Sequence, residues 1–128
     1  MDSKPWLSSY PAGVPHDVDI GQYPSLIELL EESFRKHARS PVTVCMEEWM
    51  TYGQLDELST SMGAWLQAQG LAPGARVALM MPNVPQFLVS LAGILRAGYT
   101  CVNVNPLYTP RELSHQLRDS GAEAIVIL

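Results

Sequence analysis

The side chains that could do chemistry in this sequence are few and widely spread. His16, His37 and His115 lie too far apart to share the short spacing of a metal site, so each reads as a surface or capping histidine. Cys45 and Cys101 both sit in apolar, β-prone runs, where a reduced, buried thiol is expected rather than a disulfide. Asp17 and Asp19 fall in a Pro- and Gly-rich arm and are expected to face solvent. Gly93 and Gly98 do not make a dinucleotide fingerprint, which must follow a strand and open a helix, whereas these lie within and at the end of one. Tyr108 follows the carboxyl end of a predicted strand, where an open sheet can place a ligand contact, although packing is the plainer role. No segment clusters glycines and hydroxyls beside a cation to cradle phosphates, and none sets a nucleophile beside a base. No catalytic, cofactor-binding or metal-binding residue is therefore assigned.

The elements that would have to position a site are clearer. Residues 76–106 read as strand, helix, strand within the length a parallel crossover needs. Val77 to Met81 is continuously apolar, as in a strand covered on both faces, and stops at Pro82. Asn83 is the expected cap of the following helix, which tolerates Pro85 in its first turn and carries Phe87, Leu88, Leu91, Ala92 and Leu95 on one face. Gly98 supplies a left-handed stop, and Tyr99 to Val104 resume a strand.

Around this unit, residues 1–24 form an expected extended arm, which Trp6, Tyr10 and Val14 could pin to a surface. Ser25 and Glu28 predict a capping box for a helix with the stripe Leu26, Leu29, Leu30 and Phe34. Its acids lie early and its bases late, with Glu31–Arg35 and Glu32–Lys36 spaced four apart, so this charge run reads as a solvated face. Val42 to Met46 and Trp49 to Thr51 predict a short hairpin joined through Glu47-Glu48. Thr51 and Gln54 cap a second helix with the stripe Leu55, Leu58, Met62, Trp65 and Leu66, ended by Gly70. Thr109-Pro110-Arg111-Glu112 opens a further helix through Leu113 and Leu117, and Ala122 to Leu128 rises into a strand whose Ile125 to Leu128 are expected to be among the most buried residues. The fold class is α/β, with βαβαβ parallel-sheet units preceded by helices and a short hairpin.

Composition sets the remaining bounds. A chain of 128 residues has room for one core, and its formal charge of −5 argues against a nucleic-acid partner. The acidity is uneven, with 10 of the 13 acidic residues before position 65, so the first half reads as the solvated side. No charged start followed by an apolar core marks a secretion signal, and cytoplasmic placement is expected. In the apolar window from Val84 to Val104, Arg96-Ala97-Gly98 interrupts what a hydropathy scan would take for a membrane span. Three apolar strands with few helices to cover them suggest an incomplete portion of a larger α/β protein.

In this order, TYGQLDEL at 51–58, RVALMMPNVPQF at 76–87, LRAGYTCVNVNPLYTPREL at 95–113 and DSGAEAIVIL at 119–128 resemble the AMP-forming acyl-CoA synthetases. More narrowly they resemble the beginning of a bacterial long-chain fatty-acid CoA ligase, and WLSSYPAGVPHDVDI at 6–20 is similar to that subfamily's arm. Thr51, Tyr52 and Leu55 match the superfamily's first core motif, and Leu95, Ala97, Gly98 and Pro106 the second. Gln54 departs from the glutamate usual in the first motif, but either residue can complete a capping box.

The resemblance implies an N-terminal arm at 1–24 and, at 25–128, part of the large N-terminal AMP-binding domain of an adenylate-forming enzyme. It implies that the parent enzyme activates a fatty acid with Mg-ATP to an acyl-adenylate, releases pyrophosphate and passes the acyl group to coenzyme A. ATP, Mg and CoA thus belong to the parent enzyme, whose phosphate loop, nucleotide motifs and catalytic lysine would lie downstream. The partners implied are the remainder of the ligase chain, fatty acid and CoA. A peripheral contact with the inner face of the membrane stays open, as does the alternative of a non-catalytic binding or interaction module from a truncated gene. The isolated chain is expected to be inactive.

Overall fold

The computed structural model describes residues 4–128. At its centre lie β3 (Arg76–Met80), α3 (Pro85–Arg96) and β4 (Thr100–Asn103). β3 is apolar because it is the middle strand: Val77, Ala78 and Leu79 are wholly buried. It pairs in parallel with β4 on one side and β5 (Ala124–Ile127) on the other, giving the order β4-β3-β5. The two crossovers run in opposite directions across the sheet, so right-handed connections place their helices on opposite faces. Alternate residues of β3 record this. Val77 and Leu79 pack in one cluster with Phe87, Leu91 and Ile94 of α3 and with Leu66 of α2 (Tyr52–Gln67). Ala78 and Met80 pack with Leu113 and Leu117 of α4 (Pro110–Ser120). The expected α/β architecture with its βαβαβ unit is the observed one.

Several details differ from expectation. The cap of α3 is Val84, not Asn83, and no side chain caps it. Proline at the first helical position forces the residue before it out of the helical region, so the boundary moves to the extended Val84. The hairpin of β1 (Pro41–Cys45) and β2 (Glu48–Thr51) pairs Cys45 with Glu48, so its turn is Met46-Glu47 rather than Glu47-Glu48. Both turn residues have positive φ, 50° and 70°, because two-residue connections that match strand twist use that region even without glycine. In β5 only Ala124 and Val126 are half-buried, whereas Ile125, Ile127 and Leu128 are exposed. β5 has a neighbour on one side only, and the α4 cluster draws on β3 and on Val102 and Val104 instead.

The helical stripes are also rotated. In α1 (Leu26–His37) Phe34 is the buried residue and Leu26 is exposed; Ser25 accepts the Glu28 N–H at 3.2 Å, but the reciprocal half of the box is not made. In α2 both halves form, Thr51 Oγ1 accepting from Gln54 N at 3.2 Å and Gln54 Oε1 from Thr51 N at 2.9 Å. Its buried face, however, is Leu55, Ser59, Gly63 and Leu66, while Leu58 and Trp65 are 50% and 56% exposed. Small residues win that face because α3 comes so close. A Cβ on Gly93 would sit 2.6 Å from Met62 Cγ, and one on Gly63 would sit 3.2 Å from the Gly93 carbonyl oxygen. Gly98 ends α3 with φ +83°, the expected left-handed turn.

Residues 4–24 carry a 3₁₀ turn at Pro5–Ser9, with Trp6 and Tyr10 exposed. No helix among the described residues is long and apolar enough to cross a membrane.

Candidate functional site

In an open parallel sheet the crevice for ligands lies beyond the carboxyl ends of strands whose connections leave to opposite faces. Here those strands are β3 and β4. β3 runs through buried Met81 into Pro82 and Asn83, and β4 ends at Val104, whose N–H donates to the Leu79 carbonyl at 3.0 Å. The turn after β4 is held by Asn105, whose Oδ1 accepts the Leu107 N–H at 2.9 Å and whose carbonyl accepts the Tyr108 N–H at 3.1 Å. This sets Tyr108, 36% exposed, on a surface groove of about 460 Å³ with Arg111, Glu112, His115, Gln116 and Asp119. Tyr108 thus borders the groove while most of its surface is covered. A second crevice, of about 430 Å³, lies between Thr43, Val44 and Cys45 of β1 and Asn83, Val84 and Phe87 at the end of β3.

The helix N-termini at these strand ends are already partly occupied. α3 begins with Pro85, which has no N–H, and Phe87 N is bonded to the Val84 carbonyl at 2.9 Å. α4 also begins with proline, and its cap is occupied by its own carboxylate: Glu112 Oε2 accepts from Thr109 N at 2.8 Å and from Thr109 Oγ1 at 2.6 Å. Those bonds hold the Glu112 carboxyl below the usual 4.5 and keep a negative charge where an anion would have to bind. The described residues hold no group of three His, Cys, Asp or Glu that could hold a metal ion.

The individual residues weighed in the sequence have local roles. His16 meets the Tyr10 ring edge-on at 5.9 Å, His37 lies 5.9 Å from the Tyr52 ring, and His115 is exposed on α4. Asp17 pairs with Lys4 at 3.6 Å, and Asp19 Oδ1 accepts the Gly21 N–H at 2.9 Å. Cys45 and Cys101 are free and half-buried, and burial pushes the Cys101 thiol above its ordinary 9.0.

The most densely bonded polar group is one that sequence reasoning passed over. Arg96, at the C-terminal end of α3, has a side chain only 17% exposed. Its Nη2 reaches Glu31 Oε1 at 2.9 Å, and its Nη1 reaches Asp56 Oδ1 at 2.7 Å, the Asp56 carbonyl at 2.9 Å and Ser59 Oγ at 2.8 Å. The guanidinium also lies 5.3 Å from the centre of the Phe34 ring. Glu32 pairs with Lys36 as the four-residue spacing predicts, but Glu31 turns to Arg96 instead of Arg35. The signal was available. A lone charge in an otherwise apolar helix must find partners if it is buried.

Comparison with known proteins settles the kinship of this scaffold. The sequence profile of AMP-binding enzymes matches residues 30–127. The chain belongs to the AMP-binding enzyme family. Within the curated members of that family it is 55% identical over 126 residues to a long-chain-fatty-acid–CoA ligase of Escherichia coli O6:H1, covering 98% of this chain and 22% of the relative. It is 36% identical over 128 residues to the long-chain-fatty-acid–CoA ligase of Bacillus subtilis, covering 100% of this chain and 23% of the relative. The chain therefore spans less than a quarter of the length of these relatives. Among solved structures, the anthranilate CoA ligase AuaEII in complex with anthranoyl-AMP superposes with a TM-score of 0.74 at 25% identity, over 79% of this chain and 20% of that one. The fold is likewise shared with Klebsiella oxytoca NpsA, TM-score 0.78 at 21% identity, over 83% of this chain and 22% of that one.

Proposed function

We propose that this chain is the N-terminal portion of a long-chain fatty-acid CoA ligase, and that it acts as scaffold within that enzyme. Residues 1–24 serve as the arm and residues 25–128 as the first part of the AMP-binding domain. The observation that carries the reading is the 55% identity over 126 residues to ligases of that activity. The complete enzyme joins fatty acid to CoA through an acyl-adenylate, using Mg-ATP, and works in the cytoplasm or at the inner face of the membrane. This segment carries none of the catalytic residues. The N-terminus of α4 after β4 is occupied by the Thr109–Glu112 box, which supports placing the phosphate chemistry in the rest of the enzyme.

The test is ATP–pyrophosphate exchange with palmitate or oleate, run on the full-length protein and on the 128-residue chain. Exchange by the full-length protein alone is the expected result. Full-length protein that makes no acyl-adenylate from long-chain acids would overturn the substrate assignment, and exchange by the short chain would overturn the scaffold role.

A further inference from the structure

We propose that Arg96 is a latch, and that residues 26–51, comprising α1 and the hairpin, open and close on the α2–α3 layer as a unit that this guanidinium holds shut. The segment has the build of a separable piece. Its two strands form their own sheet, with no ladder to β4-β3-β5. Its buried side chains, Phe34 and Met50, belong with Leu55 to a small cluster distinct from the one that fills the sheet. Phe34 is the one fully buried residue of α1. Elements with so few buried apolar contacts open at lower free energy than the core strands.

Arg96 is placed to decide when that happens. Three of its bonds, to Asp56 Oδ1, the Asp56 carbonyl and Ser59 Oγ, lie on α2 and fix the fork in position. Nη2 then reaches across to Glu31 at 2.9 Å, while Cζ lies over the Phe34 ring. A guanidinium fixed on one side loses little freedom when it binds on the other, and a point charge such as lysine could not make both sets of bonds. The hinge lies where α1 and the hairpin meet α2, marked by Gly53 N donating to the Ala38 carbonyl at 2.9 Å and Tyr52 N to the Ser40 carbonyl at 3.1 Å. Thr43, Val44 and Cys45 form one wall of the crevice at the end of β3, so opening the latch widens that crevice. The inference does not depend on which acid the complete enzyme activates.

Hydrogen exchange read by mass spectrometry on the full-length protein tests it, comparing wild type with Arg96→Gln, Arg96→Lys and Glu31→Gln. Exchange at 26–37 and 41–51 should rise about tenfold or more in Arg96→Gln, as expected for losing charge-assisted bonds, while 76–80 and 100–103 keep wild-type rates. Glu31→Gln should raise the same segments, and Arg96→Lys should fall between. Should Arg96→Gln fail to fold, Glu31→Gln alone carries the test, since it leaves the bonds to α2 intact. Unchanged exchange at 26–51 would overturn the proposal, as would a uniform rise that includes the sheet.

Discussion

Replacing Gly93 with alanine should destabilise the protein, although alanine is the better helix former. At this crossing a Cβ would sit 2.6 Å from Met62 Cγ, 2.8 Å from Met62 Cβ and 3.2 Å from the Ser59 carbonyl oxygen. These atoms are the root of one side chain and the backbone of α2, so the clash is relieved only by parting the helices or turning Met62 out of place. Overpacking of this kind costs about 1–3 kcal/mol, and the rigid surroundings favour the upper half of that range. Exchanging glycine for alanine in a helix interior returns about 1 kcal/mol. The net expectation is a loss of about 1–2 kcal/mol, read by urea denaturation of the full-length protein with exchange of residues 52–67 and 85–96 as the local probe. Met62→Ala supplies the control. It should cost stability in the wild type but less in the Gly93→Ala background, because there it also removes the shortest of these contacts, that to Cγ, and contacting pairs of this kind couple measurably. Gly93→Ala with wild-type stability, or Met62→Ala costing the same in both backgrounds, would refute the close-crossing argument.

At Gly98 the expected cause is conformational alone, since φ is +83° and nothing lies within 4 Å of an added Cβ. Gly98→Val should lose on the order of 1–3 kcal/mol and Gly98→Asn less, and equal melting temperatures for all three would place the helix end elsewhere. Glu112 has a folded pKa below the ordinary 4.5, lowered by the Thr109 hydroxyl and N–H. Its stabilisation of α4 is therefore full above pH 4.5 and fades as pH falls through the lowered value; exchange at 110–120 should rise in that acid window, and Thr109→Ala should weaken the pH dependence, leaving the part due to the backbone N–H. Burial raises the Cys101 thiol above 9.0, so its alkylation should still be accelerating with pH beyond that value, and a plateau at or below pH 9.0 would contradict the burial.

How far the sequence could be read depended on whether the deciding interaction was local. The Thr51–Gln54 and Thr109–Glu112 boxes and the left-handed Gly98 are settled within four residues, and each was legible. The buried face of α2 was not. Periodicity ranked Leu58 and Trp65 by hydrophobicity, but the closeness of α3 selects small residues at Ser59 and Gly63. The same limit explains Glu31. Spacing along one helix offered Arg35, and only the packing of three helices brings Arg96 within 2.9 Å. In the hairpin, twist overrode residue preference and put Met46 and Glu47 at positive φ. For the candidate site, the sequence offered no clustered glycines and hydroxyls beside a cation, and it did not reveal that Asn105 and the α4 cap would set Tyr108 on a groove.

The residues that carry the family resemblance have structural work to do at the places they occupy. Thr51 ends β2 and caps α2 in one position, so hairpin and helix join without an intervening loop. Tyr52 and Leu55 pack into the small cluster under α1. Ala97 helps to close the main core, and Gly98 turns the chain so that Tyr99, buried beside it, can send its hydroxyl to the Leu71 carbonyl at 3.3 Å. Arg96, immediately before them, binds the layer that the first group of residues builds. Apart from Pro106, which lies in the turn after β4, the two groups therefore meet across α2 and α3.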